Sequence, residues 1–382
     1  MVVDDTGQLP ILALNAGSSS LKFGLHSVGC TSSRPLLSGA AEVGGDGIYG
    51  AFSLRDGDGA ALPAETAADV SGGVIDRIAG LLTRHDLPSP VAIGHRIVHA
   101  GPHCRRHVLI DATVMQHLQA AMPFAPLHLP PALALLALAR KRFPDVPHAA
   151  CLDSAFHADM PPEARTLPIP RWLREQGLER YGFHGLSCDS VVRQLGAALP
   201  ARLVIAHLGN GASVTAVAHG RSVDTSMGLT PAGGLVMSTR CGDIDPGVLA
   251  HVIRELGVDA DGVEALIHHQ SGLLGVSGSS GDMRQLRRVE HSDPDARLAI
   301  AMFCLSARKH IAAMAAVLGG VDVLVFTGGI GENDAQTRAS IRDGLGGFGI
   351  GDAIVVPSNE AEAIARITGR LVSPFDSPPA SS

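Results

Sequence analysis

Ile11-Leu12-Ala13-Leu14, Asn15-Ala16-Gly17-Ser18-Ser19-Ser20 and Leu21-Lys22-Phe23-Gly24-Leu25 follow one another without a break. The apolar run and the alternating run predict two strands flanking a tight turn of small residues. The same grammar returns half a chain later. Arg202–Leu208 (RLVIAHL) runs into Gly209-Asn210-Gly211-Ala212-Ser213 and then Val214-Thr215-Ala216-Val217. Two such hairpins point to a duplicated domain, each half offering a polar loop to a shared cleft. Two unrelated hairpins are the alternative at this stage.

A third landmark is Val321–Phe326 (VDVLVF), nearly continuous in apolar residues, as in a strand of a buried parallel sheet. It ends in Thr327-Gly328-Gly329-Ile330-Gly331-Glu332-Asn333, followed by a helical stretch from Asp334 towards Leu345. A glycine loop between a buried strand and a helix lets backbone N–H groups approach a phosphate or nucleoside. Helical patterns at Pro131–Arg142 and Ala296–Leu318 alternate with the strands, so the class is α/β. The Gly-rich stretch Val43–Gly59 reads as turns and short antiparallel strands. The 382 residues suggest two domains, with a boundary near Asp153 after the strand-like His148–Leu152. The expected domains are 1–152 plus about 361–382, and 153–360.

Composition narrows the function. The chain is 46% hydrophobic and 18% charged, enough apolar residue for a large core. A net charge of -7 and 3% aromatics argue against a nucleic-acid groove or stacking platform. The six cysteines form no C-x-x-C pair, so neither a zinc knuckle nor a disulfide scaffold is expected. Met1–Gly7 lacks a basic segment of signal-peptide type, and the apolar run near Ala132–Ala139 falls short of the ~20 residues that span a bilayer. A soluble, cytoplasmic protein with frayed ends follows as the expectation, with no nucleic-acid or membrane partner.

Familiar nucleotide-binding schemes fail. Lys22, Lys141 and Lys309 are the only lysines, and none follows a glycine, so there is no P-loop. The protein-kinase motifs are missing, and the Gly209–Val214 segment lacks the last glycine of a Rossmann fingerprint. What remains is a cleft enzyme with hairpin loops for phosphate and a glycine loop for nucleoside.

Ten ordered segments then resemble the acetate kinase family. They are Asn15–Lys22 (NAGSSSLK), Gly94–His99 (GHRIVH), Ala125–His128 (APLH), Asp153–His157 (DSAFH), Tyr181–Gly185 (YGFHG), His207–Ser213 (HLGNGAS), Asp224–Gly228 (DTSMG), Thr239–Pro246 (TRCGDIDP), Phe326–Asn333 (FTGGIGEN) and Val356–Ala361 (VPSNEA). The resemblance runs from residue 11 to about residue 370. It implies the acetate/sugar kinase, heat-shock and actin fold: two duplicated α/β domains of actin/ribonuclease H type, mixed sheets flanked by helices, around an ATP cleft, usually as a homodimer. It further implies reversible transfer of the ATP γ-phosphoryl group to acetate, with Mg²⁺ (Mn²⁺ as alternative).

The resemblance also implies roles. A carboxylate acceptor is ionised at pH 7 and needs no base, but its charge must be held beside a polyanion. Arginine suits that task, and Arg96 and Arg240 occupy the family's arginine segments. His184 would contact the transferring phosphoryl group, with His128 on the substrate side and His207 on the nucleotide phosphates. Asp153 would orient the acceptor or the hydrated metal, its bland alternative being a helix cap. Asn15 and Glu360 are the candidate Mg²⁺ ligands, direct or through water. Ser18, Ser20 and Lys22 would line the first phosphate loop, and Asn210 and Gly211 the second. Asp282, Arg284, Gly329, Gly331 and Asn333 would contact adenosine, and Val98, Leu127, Phe183 and Pro231 would size the acceptor pocket. Leu129, Leu186, Cys188, Ser238, Cys241 and Met283 depart from the usual family residues. Competing expectations are a propionate or other short-chain acyl kinase, a sugar kinase with Asp153 as base, and a non-catalytic ATP-binding module.

Overall fold

The computed structural model describes residues 8–17, 20–42, 44, 49–63 and 73–373. The chain forms two compact units, 1–155 with 359–382, and 156–358. Ser18, both chain ends and part of the Gly-rich stretch, Val43 and 45–48, lie outside the described residues.

The first unit is built on an eight-stranded sheet in the order β5-β4-β3-β2-β1-β6-β8-β7. Its strands are β1 (Leu9–Ala16), β2 (Ser20–Val28), β3 (Ser33–Glu42), β4 (Ser53–Asp56), β5 (Ala61–Leu62), β6 (Ala92–Ile97), β7 (Val108–Leu109) and β8 (His148–Leu152). β1, β2 and β3 form an antiparallel meander, and β6 then β8 join β1 in parallel. The second unit has five strands, β9 (Arg202–Leu208), β10 (Ala212–Ala218), β11 (Arg221–Thr225), β12 (Val321–Thr327) and β13 (Ile350–Val355). Their order is β11-β10-β9-β12-β13, again a meander joined by two parallel strands. The duplication expected from the two hairpins is thus a shared strand order. A parallel strand must be reached by a crossover, so each unit interleaves helices with its last strands.

Alternation along β1 and β2 decides which helices cover which face. Leu12, Leu14, Leu21, Phe23 and Leu25 pack in one core with Ile75, Ile78, Leu81 and Leu82 of helix Val74–Arg84. The other face receives the C-terminal helix Glu360–Val372, whose Ile364, Thr368 and Gly369 are buried. Gly94 of β6 is the seat for that helix. A Cβ at Gly94 would collide with Thr368 Oγ1 and Ile364 Cγ2. The Cys151 thiol of neighbouring β8 meets Ile364 O at 3.8 Å.

In the second unit the 25-residue helix Pro294–Leu318 packs on β9 and β10. Among the described residues it is the one helix long and apolar enough to cross a membrane, by length and composition alone. Ala299, Phe303, Ala307 and Ile311 recur at helical spacing and are fully buried in the unit's core. The glycine segment after β12 differs from the expected open loop: Gly328–Asn333 is itself a short helical turn, followed by helix Ala335–Asp343. Glu332 explains it, because its Oε1 accepts from Gly328 N at 2.9 Å and Ser358 N at 2.8 Å. The Gly328 amide is therefore engaged within the protein.

The seat of the C-terminal helix should control stability. Gly94→Val is expected to lower stability by about 1–3 kcal/mol, the usual range for overpacking, because its Cβ would meet Thr368 and Ile364. Thermal and denaturant melts would check this; a variant with wild-type midpoints would show that the helix tolerates a side chain there.

Candidate active site

Asn15, Arg96 and Asp153 stand at the C-terminal ends of β1, β6 and β8, three neighbouring strands running in parallel. That is the end at which open α/β sheets present their ligand groups. Arg96 Nε and Nη2 donate to Asp153 Oδ2 at 2.9 and 2.6 Å, and its Nη1 donates to Asn15 Oδ1 at 3.3 Å. Asn15 Nδ2 donates to Glu360 Oε2 at 2.7 Å, across 345 residues of chain. Burial opposes the Arg96 charge, but Asp153 and Glu360 outweigh it and hold the guanidinium protonated. Burial pushes the Asp153 carboxyl above the ordinary aspartate range, against the pull of Arg96, and Glu360 adds to the rise.

Asp153 and Glu360 both act on Arg96. Asp153 Oδ1 is buried without a hydrogen-bond partner. The donors here are oxygens of an amide and carboxylates, the hard set that suits Mg²⁺ with part of its hydration shell. The residues present therefore fit the expected cation. Among the described residues no cluster of three or more His, Cys, Asp or Glu offers a fully protein-ligated site.

The second unit gathers different groups. His184 adopts φ 59°, ψ 23°, a left-handed conformation that costs a non-glycine residue about 1 kcal/mol or more. It heads helix Gly185–Leu195, its Nδ1 hydrogen-bonded to Ser213 Oγ at 2.9 Å. Its ring stacks on His207 with centroids 4.1 Å apart, and His207 Nδ1 is hydrogen-bonded to Ser187 Oγ at 2.8 Å. Both rings thus have Nδ1 held from inside the fold. Gly211 shows where the first is aimed: a Cβ there would lie 3.1 Å from His184 Nε2 and 3.4 Å from Arg240 Nη1. A side chain at this turn would crowd both the His184 ring and the Arg240 guanidinium.

Arg240 rides on a loop fixed by its backbone. Ser238 N donates to Asn210 O at 3.1 Å, Cys241 N to Ile267 O at 3.1 Å, and Thr239 Oγ1 to His268 O at 2.7 Å. Its own Nη1 donates to Pro231 O at 3.2 Å. The His184 segment is stitched to the same region, since Tyr181 N donates to Gly228 O at 3.1 Å. His157 sits behind it. Its Nε2 donates to Phe183 O at 3.0 Å, so Nδ1 accepts from the Ser222 hydroxyl at 2.8 Å.

The remaining sequence candidates fall as follows. Ser20 opens β2 and accepts from Gly17 N at 2.8 Å, and Lys22 is exposed directly opposite Asn15. Val98 is buried and Leu127 and His128 half-buried in the first unit, while Phe183 and Pro231 are buried in the second. Asp282 caps helix Met283–Val289 and binds Arg284 Nη2 at 2.6 Å. Asn333 Nδ2 donates to Gly329 O at 2.9 Å, and Gly331 is buried. Asn210 is exposed at the β9–β10 turn.

Ser187, Ser213 and His268 escaped the sequence reading. Ser187 lies one helical turn after His184, a spacing that could have drawn notice, and Ser213 closes a quoted motif. His268 gave no signal: it is buried in a π-helical turn, Leu266–Gln270, and its pKa is lowered to about 4 by burial and then by Arg240. The departures from the family pattern are mostly packing residues. Leu129, Leu186, Cys188 and Met283 are all nearly fully buried.

Paired α/β units of one strand order, the first carrying an arginine among carboxylates and an amide, the second two stacked imidazoles beside an arginine, are those of a kinase that acts on an anionic acceptor. The chain belongs to the acetokinase family, which matches residues 10–366. Acetate kinase 2 of Neisseria meningitidis serogroup A is 40% identical over 385 residues, covering 97% of this chain and 93% of its own. Acetate kinase of Deinococcus deserti is 40% identical, with 95% and 98% covered. Among solved structures, a propionate kinase from Francisella tularensis aligns with TM-score 0.85 and 34% identity, covering 95% of this chain and all of that one. Porphyromonas gingivalis acetate kinase aligns with TM-score 0.81 and 31% identity, covering 96% and 100%.

His157 sets a pH limit. Burial lowers its pKa from 6.5 to about 4. Between those values the unfolded chain binds a proton that the folded chain does not. Stability contributed by the neutral ring is therefore full above pH 6.5 and is lost as pH falls, by about 1.4 kcal/mol per unit. In denaturant titrations from pH 7 to 4.5, His157→Gln should start less stable and show a shallower pH slope. Equal slopes in the two proteins would remove His157 from this account.

Proposed function

We propose that this chain transfers the γ-phosphoryl group of ATP to acetate, reversibly, giving acetyl phosphate and ADP. The observation that carries the reading is the convergence of His184 Nε2 and Arg240 Nη1 on the Gly211 turn. Two preorganised donors beside a turn with no side chain suit a group that carries negative charge through the reaction. An acetate oxygen attacks the γ-phosphorus, the bond to the leaving ADP oxygen breaks, and its electron pair stays on ADP. No proton needs to move, since acetate is already ionised at pH 7.

In this reading the cation groups belong to the first unit and the nucleoside groups to the second, while both contribute acceptor and phosphate contacts. Arg96 holds the acceptor carboxylate, and Asp153 orients Arg96 through two hydrogen bonds to one oxygen. That clamp favours a carboxylate acceptor over a sugar, whose hydroxyl would need a free carboxylate base. Asn15 and Glu360 would hold Mg²⁺ or Mn²⁺, directly or through water; when bound, the ion offsets phosphate charge. Ser18, Ser20 and Lys22, with His207, Asn210 and Gly211, serve the phosphates. Asp282, Arg284, Gly329, Gly331 and Asn333 serve the nucleoside. Val98, Leu127, Phe183, Pro231 and His128 fit the methyl side of the acceptor.

A homodimer through the second unit is supported by exposed apolar side chains on two helices, Ile253 and Leu256 on Pro246–Leu256, and Leu298, Met302 and Leu305 on Pro294–Leu318. A cytoplasmic site of action goes with these small-molecule substrates. Propionate is the second reading, favoured by the propionate kinase among the similar structures. One methylene is worth only ~1–3 kcal/mol of discrimination, so both acids should react, acetate faster.

The test is ADP formation with Mg-ATP and acetate, with the product trapped by hydroxylamine as an acyl phosphate. Arg96→Ala and Arg240→Ala should each cut kcat by roughly 10²–10³-fold, as loss of a charge-stabilising donor does. Comparing kcat/KM for C2 to C4 acids ranks the acceptors. Turnover that does not depend on any of these acids would refute the proposal.

A further inference from the structure

The two segments assigned to the nucleoside, Asp282–Arg284 and Gly329–Asn333, belong to different helices. The helix of the first is tied to helix Ala335–Asp343, which begins two residues after Asn333, around one guanidinium that no sequence motif marks. Arg287 lies one turn beyond Arg284 on helix Met283–Val289 and is only 15% exposed. Its Nη1 donates to Glu290 Oε2 at 2.8 Å, and its Nη2 donates to Thr337 Oγ1 at 2.8 Å. Its Nε lies 3.6 Å from Asp334 Oδ2, an ionic contact.

Asp334 follows Asn333 directly and is the N-cap of helix Ala335–Asp343. Thr337 N and Oγ1 donate to its two oxygens at 2.9 and 2.6 Å. Glu290 closes the bracket, accepting from Gln336 Nε2 at 3.1 Å. Arg308 of the long helix pins the far end of helix Ala335–Asp343, its Nη2 donating to Ser340 O at 2.7 Å. The helix is thus fixed at each end by an arginine from a neighbouring helix. Its first end abuts Asn333, and the arginine there stands three residues from Arg284.

We infer that Arg287 is a specificity-determining positioning residue for the nucleotide, acting through Glu290, Asp334 and Thr337 to hold the two nucleoside segments at a fixed separation. The inference rests on the assignment of those segments to the nucleoside. A charge-assisted hydrogen bond shared by two helices fixes direction as well as distance, which lysine cannot reproduce with its compact point charge.

The experiment uses the full chain with Arg287→Lys and Thr337→Val, measuring kcat, KM for ATP, GTP and acetate, and the thermal midpoint. Asn333→Ala serves as a variant of the assigned nucleoside segment itself. Arg287→Lys is expected to raise KM for ATP about tenfold, the size of one such interaction, and to change the ratio of kcat/KM for ATP to that for GTP. KM for acetate and kcat should stay within about twofold. Thr337→Val, which removes one hydroxyl without changing shape, should shift the same constants in the same direction by less. An unchanged KM for ATP in both variants overturns the inference. So does a parallel loss in acetate KM, kcat and thermal midpoint at an unaltered ATP/GTP ratio, since that is a purely structural role. If Asn333→Ala raises KM for ATP while Arg287→Lys does not, the nucleoside assignment stands and the bracket falls. If neither moves it, both fall.

Discussion

A guanidinium cannot be buried without an anion in place to receive it. Arg96 lies between apolar neighbours at the end of β6, and the first unit is arranged around satisfying it. Asp153 enters from the end of β8, Asn15 from the end of β1, and Glu360 from a helix 345 residues away from Asn15. Removing one partner of such a pair typically costs 3–5 kcal/mol, because the other is left charged in a dry site. The chain leaves the first unit after Ala155, just past Asp153, and comes back at Asn359, next to Glu360.

The second unit repeats the strand order but not the chemistry. Where the first places an arginine and carboxylates at its strand ends, the second places two stacked imidazoles, each with Nδ1 held by a serine hydroxyl, and an arginine on a loop tied down by its own backbone. The difference suits the division of labour proposed for the two units. In that proposal the carboxylates would serve a cation, and donors fixed from behind would serve phosphate oxygens. The strained backbone of His184 belongs to this arrangement, being kept by Ser213 and by its place at the head of a helix. A fold thus duplicated can carry two half-sites of opposite character because the strand ends are presented by the sheet, while the side chains on them are free to differ.

Several features were readable in the residues. The alternation of Leu21 to Leu25 and the apolar run Ile11 to Leu14 announce a hairpin, since every second side chain of a strand shares one face. The buried strand Val321–Phe326 and the long Ala-rich helix were legible for the same reason. The glycine segment after β12 was misjudged as open loop, because Glu332 reaches back to Gly328 N, and a carboxylate closing a turn from four residues on leaves no periodic mark. Leu186 and Cys188 depart from the usual family residues within a motif that carries a site histidine. In space they are core side chains, Cys188 facing Thr215 at 3.8 Å.

Local order and the list of chemical groups were therefore determined by sequence alone: strand, turn and helix follow from short-range periodicity, and the motif residues name themselves. Tertiary structure decided which groups meet. That Glu360 bonds Asn15, that Gly211 is the point on which His184 and Arg240 converge, and that Arg287 locks two helices together are all contacts between residues distant in the chain. No local pattern encodes them, because they depend on strand order, on crossovers and on the close approach of a helix to a glycine, and those are settled only when the core packs.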